Sequence, residues 1–331
     1  MRAIASEASL RHPLPSLRRR WRGRVWLALS CALFAQSAQA ARTFDVGPGA
    51  DAYGSVQAAI EAAVAQGDAA TIRIAAGTWR GVVDVPPGAP ALRLTGAGAT
   101  QTRIVHDHDA ARIDPRSGQP FGTYGSATMF VRADDFHAEH LTIANDAGPV
   151  GQAVALVVDG TRASFDGVHL LGHQDTLYLR KAGTRAWFRD CRIEGTVDYV
   201  FGAATALFER CTLHSVGDGY LAAPSTPAEQ AHGFVFRDCT ITAAPAVTRV
   251  HLGRPWRPHG ATRFERCRID APVPSEGWHD WGKPANRDTA RFAEHANTGT
   301  GSALQGRVSW LRDTDAGPDT ATLMQDWRPF E

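Results

Sequence analysis

The residues best suited to chemistry in this 331-residue chain are two aspartates, two glutamines and one arginine in short polar runs. Each precedes a phenylalanine of a repeated motif: Gln152 and Asp175 by 13 residues, Gln174 by 14, and Asp198 and Arg254 by 10. If the motifs stack, these side chains converge on one surface. Two carboxylates at close range separate their pKa values into an acid and a base or nucleophile. An arginine beside one of them holds it ionised and oriented.

The two glutamine amides can donate hydrogen bonds to a developing oxyanion. With a carboxylate nucleophile and an acid, they indicate acyl transfer on an ester. No Gly-x-Ser-x-Gly sequence is present, which disfavours a serine hydrolase. No HExxH or paired CxxC occurs, so we predict neither a metal nor another cofactor.

Structural roles are the alternative for each of these residues. The run Gly172–Thr176 could be an ordinary loop, and Asp198 could lie in a strand-end turn. Gln152 could be a buried amide that satisfies backbone groups, and Arg254 a surface cation.

Five copies of one pattern predict the scaffold. In each copy an aromatic residue is followed three positions later by Val or Cys and five positions later by Ile or Leu, which is the period of a strand with one buried face. The copies begin at Phe165, Phe188, Phe208, Phe236 and Phe264. A unit that recurs every 20 to 28 residues is typical of a solenoid. With one short strand per copy, it favours an all-β, single-stranded parallel β-helix over unrelated antiparallel strands.

One helix and four cysteines complete the predicted scaffold. The segment "YGSVQAAIEAAVAQG" (53–67) has Val56, Ala59, Ile60 and Ala63 on one face and is expected to cap the open end of the solenoid. Cysteines occupy the same slot of successive copies, at Cys191, Cys211, Cys239 and Cys267. They form either a ladder of buried thiols or a disulfide, for which Cys191–Cys211 is the favoured pair.

Residues 1–40 have the pattern of a secretory signal peptide, which leaves one domain from 41 to 331. A basic region precedes the short apolar run 25–34, and Ala38-Gln39-Ala40 is an A-x-A cleavage site. The general and twin-arginine export routes both stay open, while a lipoprotein at Cys31 is disfavoured by the poor lipobox that precedes it. We expect cleavage near Ala40 and a secreted or periplasmic protein.

Charge and hydropathy exclude two classes of partner for the exported domain. The first 40 residues hold seven of the 35 basic residues and one of the 34 acidic residues, so the rest carries a formal charge of −5. Nucleic-acid binding calls for a basic face and is not expected. No later apolar run approaches the ~20 residues of a membrane helix, so no membrane insertion is expected either.

At these residues the chain resembles the pectin methylesterase family over nearly all of 41–331. The segments that carry the resemblance are "GQAVALVVDG" (151–160), "GHQDTLY" (172–178), "GTVDYVFG" (195–202), "LGRPW" (252–256), "GWHDW" (277–281) and "FAEHANTGTG" (292–301). The resemblance implies a right-handed parallel β-helix that hydrolyses the methyl esters of polygalacturonate (pectin) to pectate and methanol without a metal. "YLAAPST" (220–226) is more similar to bacterial members than to plant ones. We expect a monomer.

The resemblance also implies a role for each residue. Asp198 would be the nucleophile, oriented by Arg254, and Asp175 would protonate methanol and then activate water. Gln152 and Gln174 would stabilise the oxyanion. The residues expected to contact the sugar are Tyr178, Phe201, Trp256 and Thr128, whereas Trp278 and Trp281 are interpreted as packing residues. The chain departs from the family at "GTWRG" (77–81), where Trp79 and Gly81 replace a Tyr and a Glu.

Three other functions use the same scaffold. If the chain were a non-catalytic carbohydrate-binding β-helix, we would expect Asp175, Asp198 or Arg254 to have been lost, but all three are present. An esterase or thioesterase for another acyl group would have the same five residues, so only the groove can discriminate it. A calcium-dependent lyase needs acidic ligands and a basic proton acceptor, which these residues do not provide.

Overall fold

The computed structural model describes residues 42–312 and 315–331, so the expected signal peptide lies outside the described residues. Every pairing between its strands is parallel, and the chain winds as a right-handed parallel β-helix with three faces. The predicted fold class is confirmed.

The first face is one continuous parallel sheet, and its strands join in the order in which they occur along the chain. They are β1 (Arg42–Val46), β2 (Ala70–Ile74), β5 (Leu92–Gly96), β8 (His137–Glu139), β11 (Ala163–Asp166), β14 (Arg185–Arg189), β16 (Thr205–Glu209), β18 (Phe234–Arg237), β21 (Ala261–Glu265) and β23 (Arg291–His295).

The second and third faces are joined by two long strands, β15 (Arg192–Gly202) and β17 (Thr212–Pro224), whose first parts lie in the second face and last parts in the third. The other strands of the second face are β3 (Gly77–Arg80), β6 (Thr102–His106), β9 (Thr142–Asn145), β12 (His169–Leu171), β19 (Thr240–Ala243) and β22 (Arg268–Ile269). Those of the third face are β4 (Val83–Val85), β7 (Met129–Val131), β10 (Leu156–Val158), β13 (Leu177–Leu179) and β20 (Val250–Gly253).

The repeated phenylalanines form a continuous stack inside the first face. Consecutive members of the stack are in register from one strand to the next, and their ring centroids lie 4.5–4.9 Å apart with interplanar angles of 4–17°. All five rings are completely buried. The stack fixes the register of the coils, because a slip by one residue would turn the aromatic positions outward.

A sharp corner follows each phenylalanine of the stack. The residue two positions later has a positive φ of 51–58° in every copy, although only Gly167 among these five is a glycine. This left-handed conformation turns the chain from the first face into the second. The two aspartates at these corners, Asp190 and Asp238, each bind the corner arginine of the next coil.

The cysteines stack beside these corners, and all four are free and buried. Each Sγ lies 3.3–3.5 Å from the carbonyl oxygen of the phenylalanine one coil earlier. The ladder of buried thiols is therefore the arrangement found, rather than a Cys191–Cys211 disulfide.

The predicted capping helix is present as α1 (Val56–Gln66) and contacts β1, β2 and β4 of the first coil. Ser55 accepts a hydrogen bond from the amide of Ala58 at its start, and Gly67 ends it with a φ of 85°. The four predicted core residues of this helix are buried. The remaining helices are the short segments α2 (Gly122–Gly125), α3 (Asn286–Thr289) and α4 (Thr320–Met324). Among the described residues, none of these helices has the length and apolar character needed to span a bilayer.

We predict that Phe208→Ala lowers the free energy of unfolding by about 3–5 kcal/mol, because it leaves a cavity between the rings of Phe188 and Phe236. Denaturant unfolding of wild type and variant measures the change, and Leu304→Ala at an exposed site serves as the control. A cost for Phe208→Ala no larger than that of the control would show that the stack does not stabilise the helix.

Candidate active site

One cavity of about 370 Å³ on the third face brings together all five residues selected from the sequence. Gln152 and Gln174 pair as a parallel bridge between neighbouring coils. The amide of Asp175 donates a hydrogen bond to the carbonyl oxygen of Val197 (3.0 Å), which places Asp175 against the residue before Asp198. Arg254 directly follows β20, on the third face as well.

Arg254 binds Asp198 through two parallel hydrogen bonds. Its Nε lies 2.9 Å from Oδ1 and its Nη2 lies 2.8 Å from Oδ2. Only 8% of the Asp198 side chain is exposed, so water screens this ion pair weakly. The contact fixes the plane of the carboxylate as well as its charge.

Both aspartates have an unusual backbone conformation, with φ of 67° at Asp175 and 53° at Asp198. At Asp198 the cause is an irregularity of β15, whose pairing with β17 shifts register on either side of Val197. Gly195 permits this bend, since a Cβ there would meet the Tyr199 Cβ at 2.1 Å. Backbone strain of this kind, about 1–3 kcal/mol per residue, persists only where the surrounding structure holds it.

The two carboxylates have different electrostatic surroundings. Burial raises the pKa of Asp175 to about 8; the charge of Asp198 adds to the rise, and Arg254 opposes it. Burial also raises the pKa of Asp198, but there the hydrogen bonds and charge of Arg254 act against the rise. Near neutral pH the cavity therefore holds a protonated Asp175 beside an Asp198 whose ionised form is stabilised by a cation.

The amides of Gln152 and Gln174 are open to the cavity. Within residues 42–312 and 315–331, neither side chain has a hydrogen-bond partner, while the backbone carbonyls of both accept bonds from neighbouring coils. Both amides are thus available to a bound molecule.

Three aromatic residues form one wall of the cavity. Tyr178 and Phe201 are register partners in adjacent coils, and their rings stack with centroids 4.1 Å apart. Trp256 stands edge-on to both at 6.2 and 5.9 Å. All three were expected in the groove, and all three line the cavity.

One expectation about an individual residue does not hold. Thr128 does not line the cavity: it is completely buried and its hydroxyl donates to the carbonyl oxygen of Ala144 (2.9 Å). Trp281, interpreted as a packing residue, packs its ring on the guanidinium of Arg254 and also lines the cavity. Trp278 is buried and donates to Glu294 (2.9 Å), in agreement with a packing role.

The sequence also gave no indication of Tyr124, which lines the cavity from the short helix α2. Its hydroxyl donates to Asp159 (3.3 Å), and Asp159 binds Arg180 through two hydrogen bonds of 2.6 and 2.7 Å. No motif or period marks this short helix, so only the folded chain reveals the contact.

The segment "GTWRG" (77–81), where the sequence departs from the family pattern, lies away from this cavity. Trp79 and Gly81 border a separate cavity beside α1, and the Trp79 indole donates to the carbonyl of Ala75 (3.1 Å). Gly81 has a φ of 150°, a conformation that favours glycine. The replacement therefore leaves the five site residues untouched.

Comparisons with known proteins find relatives over most of this chain. The sequence model of the family described as Pectinesterase matches residues 46–321. Pectinesterase 31 of Arabidopsis thaliana is 36% identical over 278 residues, which cover 81% of this chain and 87% of the relative. A tomato pectinesterase/pectinesterase inhibitor is 34% identical over 72% of this chain, which spans 42% of that longer relative. The crystal structure of a pectin methylesterase mutant with a bound hexasaccharide superposes with a TM-score of 0.77 at 28% identity, covering 89% of this chain and all of that one.

The bacterial character expected from "YLAAPST" finds no support in these sequence relatives, which are plant proteins from Arabidopsis thaliana and Solanum lycopersicum.

We predict that Asp175→Asn stabilises the protein in a pH-dependent way. A carboxyl whose pKa rises from 3.8 to about 8 on folding destabilises the fold progressively as pH rises between these values. The neutral amide avoids this cost, so the gain in melting temperature should be small near pH 4, grow up to pH 8 and then level off. Thermal unfolding across this range measures it, with Asp238→Asn at an exposed ion pair as the control. A gain that is absent, or that shrinks as pH rises, would contradict the assignment of the raised pKa.

Proposed function

Because this chain belongs to the pectinesterase family, we propose that it demethylates methyl-esterified polygalacturonate through a covalent acyl-enzyme on Asp198. The observation that carries the proposal is the asymmetry of the two aspartates: Arg254 binds Asp198 through two hydrogen bonds, while burial keeps Asp175 protonated in the same cavity. A nucleophile must be ionised and an acid must carry a proton at one and the same pH.

In the first half of the reaction, a carboxylate oxygen of Asp198 forms a bond to the ester carbonyl carbon. The carbonyl oxygen becomes an oxyanion, which accepts hydrogen bonds from the Gln152 and Gln174 amides. When this intermediate collapses, the bond from carbon to the methoxy oxygen breaks and Asp175 transfers its proton to that oxygen. Methanol leaves, and Asp175 becomes a carboxylate.

In the second half, Asp175 removes a proton from a water molecule, whose oxygen attacks the acyl carbon. The bond between that carbon and Asp198 breaks, which restores the Asp198 carboxylate beside Arg254. Asp175 is protonated again, and the uronic acid product loses its proton to solvent. One residue thus serves first as acid and then as base.

The aromatic wall supports a sugar substrate in this cavity. Tyr178, Phe201 and Trp256 offer flat apolar surfaces on which a pyranose ring can pack. The wall and the two open amides lie on the same cavity, so a ring held there presents its ester to Asp198.

We also propose that residues 1–40 direct export, that the domain 41–331 acts as a monomer in the periplasm or outside the cell, and that the enzyme is of bacterial type. The basic, apolar and A-x-A segments support export, and the "YLAAPST" segment supports a bacterial origin.

An intact-mass measurement of the exported protein tests the export proposal and should give a chain that begins at Ala41. A chain that retains residues 1–40 would overturn that proposal.

We predict that Asp198→Asn abolishes nearly all methanol release from highly methylated pectin while the protein stays folded. The amide is close in shape but a poor nucleophile, so the loss should fall on kcat. A methanol assay with both kcat and KM determined measures this.

Asp238→Asn is the matched control, since Asp238 has a φ of 54° and also binds an arginine through two hydrogen bonds, of 2.8 and 2.9 Å. It should retain activity. Substantial turnover by Asp198→Asn, with unchanged KM, would remove Asp198 from the nucleophile role.

We also predict that methanol release by the wild type does not change when a chelator is added to the assay. Loss of activity that calcium restores would favour a metal-assisted reaction.

A further inference from the structure

Two aromatic rings enclose the guanidinium of Arg254. The centroids of the Tyr220 and Trp281 rings each lie 3.8 Å from its Cζ. Two rings whose centroids each lie 3.8 Å from the same atom would overlap if they shared one face, so the two rings cover opposite faces of the planar group. The edge of the guanidinium remains open toward Asp198, where Nε and Nη2 donate their hydrogen bonds.

Each ring is itself held in place. Tyr220 stacks on His251 (centroids 5.0 Å apart, interplanar angle 18°), its register partner on β20. The amide of Trp281 donates to Nδ1 of His279 (3.0 Å), and Trp281 has a φ of 65° within a tight turn. Trp281 and Tyr220 therefore both contact Arg254, and Tyr220 also contacts His251.

We propose that Tyr220 and Trp281 are positioning residues that keep Arg254 in place while Asp198 loses its charge. This inference rests on the proposed function. When Asp198 forms the acyl-enzyme, its carboxylate is neutralised and the ion pair with Arg254 is lost for the lifetime of that intermediate. Without another constraint, a long arginine side chain would then be free to rotate away.

The aromatic rings supply that constraint, because cation–π contacts do not depend on the charge of Asp198. They also cover the faces of the guanidinium against water, which strengthens its attraction to Asp198 when the carboxylate returns. Arg254 therefore meets the re-formed carboxylate in the bidentate geometry, and each cycle begins from the same arrangement.

Tyr220 provides the cleaner test, since Trp281 lines the cavity and Tyr220 does not. Tyr220→Leu should lower kcat for methanol release by about tenfold or more with KM within about twofold, as a 1 Å misplacement of a catalytic group can cost even more. Tyr220→Phe retains the ring and should restore kcat to within about threefold of wild type. Equal losses from Leu and Phe would overturn the proposal.

A double-mutant cycle separates positioning from general structural damage. In an Arg254→Lys background the planar group is absent, so Tyr220→Leu should cost less than about twofold in kcat. The same factor in both backgrounds would show that Tyr220 acts independently of Arg254. If Tyr220→Leu does not fold, the Trp281→Leu and Trp281→Phe pair replaces it, with kcat compared in the same two backgrounds.

A spectroscopic readout keeps this test independent of the reaction. The Nε–H signal of Arg254, assigned by its loss in Arg254→Lys, should show an upfield shift from the two rings in wild type and Tyr220→Phe. The shift should diminish in Tyr220→Leu, and an unchanged signal would contradict the enclosure. Absence of methanol release by the wild type would overturn the proposed function while leaving this result standing.

Discussion

Burial of two aspartates in one cavity raises the pKa of both, and among the residues that the structure describes only Asp198 has a cation bound to it. This difference separates the charge states of the two aspartates near neutral pH, and the positions of the other site residues maintain the separation. Arg254 must bind Asp198 and not Asp175, and this requirement constrains the positions of all three side chains. In the proposed reaction, the open amides and the aromatic wall act on a substrate whose reacting carbon lies between the acid Asp175 and the nucleophile Asp198.

The β-helix supplies this arrangement through its winding. Coils of 20–28 residues place groups that are distant in sequence on adjacent strands, so a carboxylate from β15 meets an arginine that follows β20. The phenylalanine stack fixes the register of the coils on the first face, and any slip there would displace the side chains on the third. The strained backbone at Asp175 and Asp198 is tolerated because the register on both sides is held by buried residues.

The sequence predicted the parts of this structure that depend on repetition and on residue chemistry. Period-2 patterning identified the stacked phenylalanines, and counting back from them brought Gln152, Asp175, Asp198 and Arg254 to one surface. Prediction from the sequence failed for contacts made by residues in turns and short segments that do not belong to the repeat. Trp281 lies in such a turn, and Tyr124 lies in the short helix α2, which no pattern marks. Thr128 is buried in the bend before β7, where its hydroxyl donates to the carbonyl oxygen of Ala144. The spacing of the cysteines could not decide between a disulfide and free thiols, because that choice depends on the three-dimensional geometry of the ladder.

The central claim is that one cavity holds a protonated Asp175 and an ionised Asp198 at the same pH. Carboxyl carbon NMR of protein labelled at aspartate, titrated with pH, measures both groups directly, and Asp175→Asn and Asp198→Asn assign the two signals. The account predicts that the Asp175 carboxyl titrates near pH 8 and that the Asp198 carboxyl titrates at a lower pH, because Arg254 stabilises its ionised form. Titration of both groups below about pH 5, or a higher pKa at Asp198 than at Asp175, would contradict it.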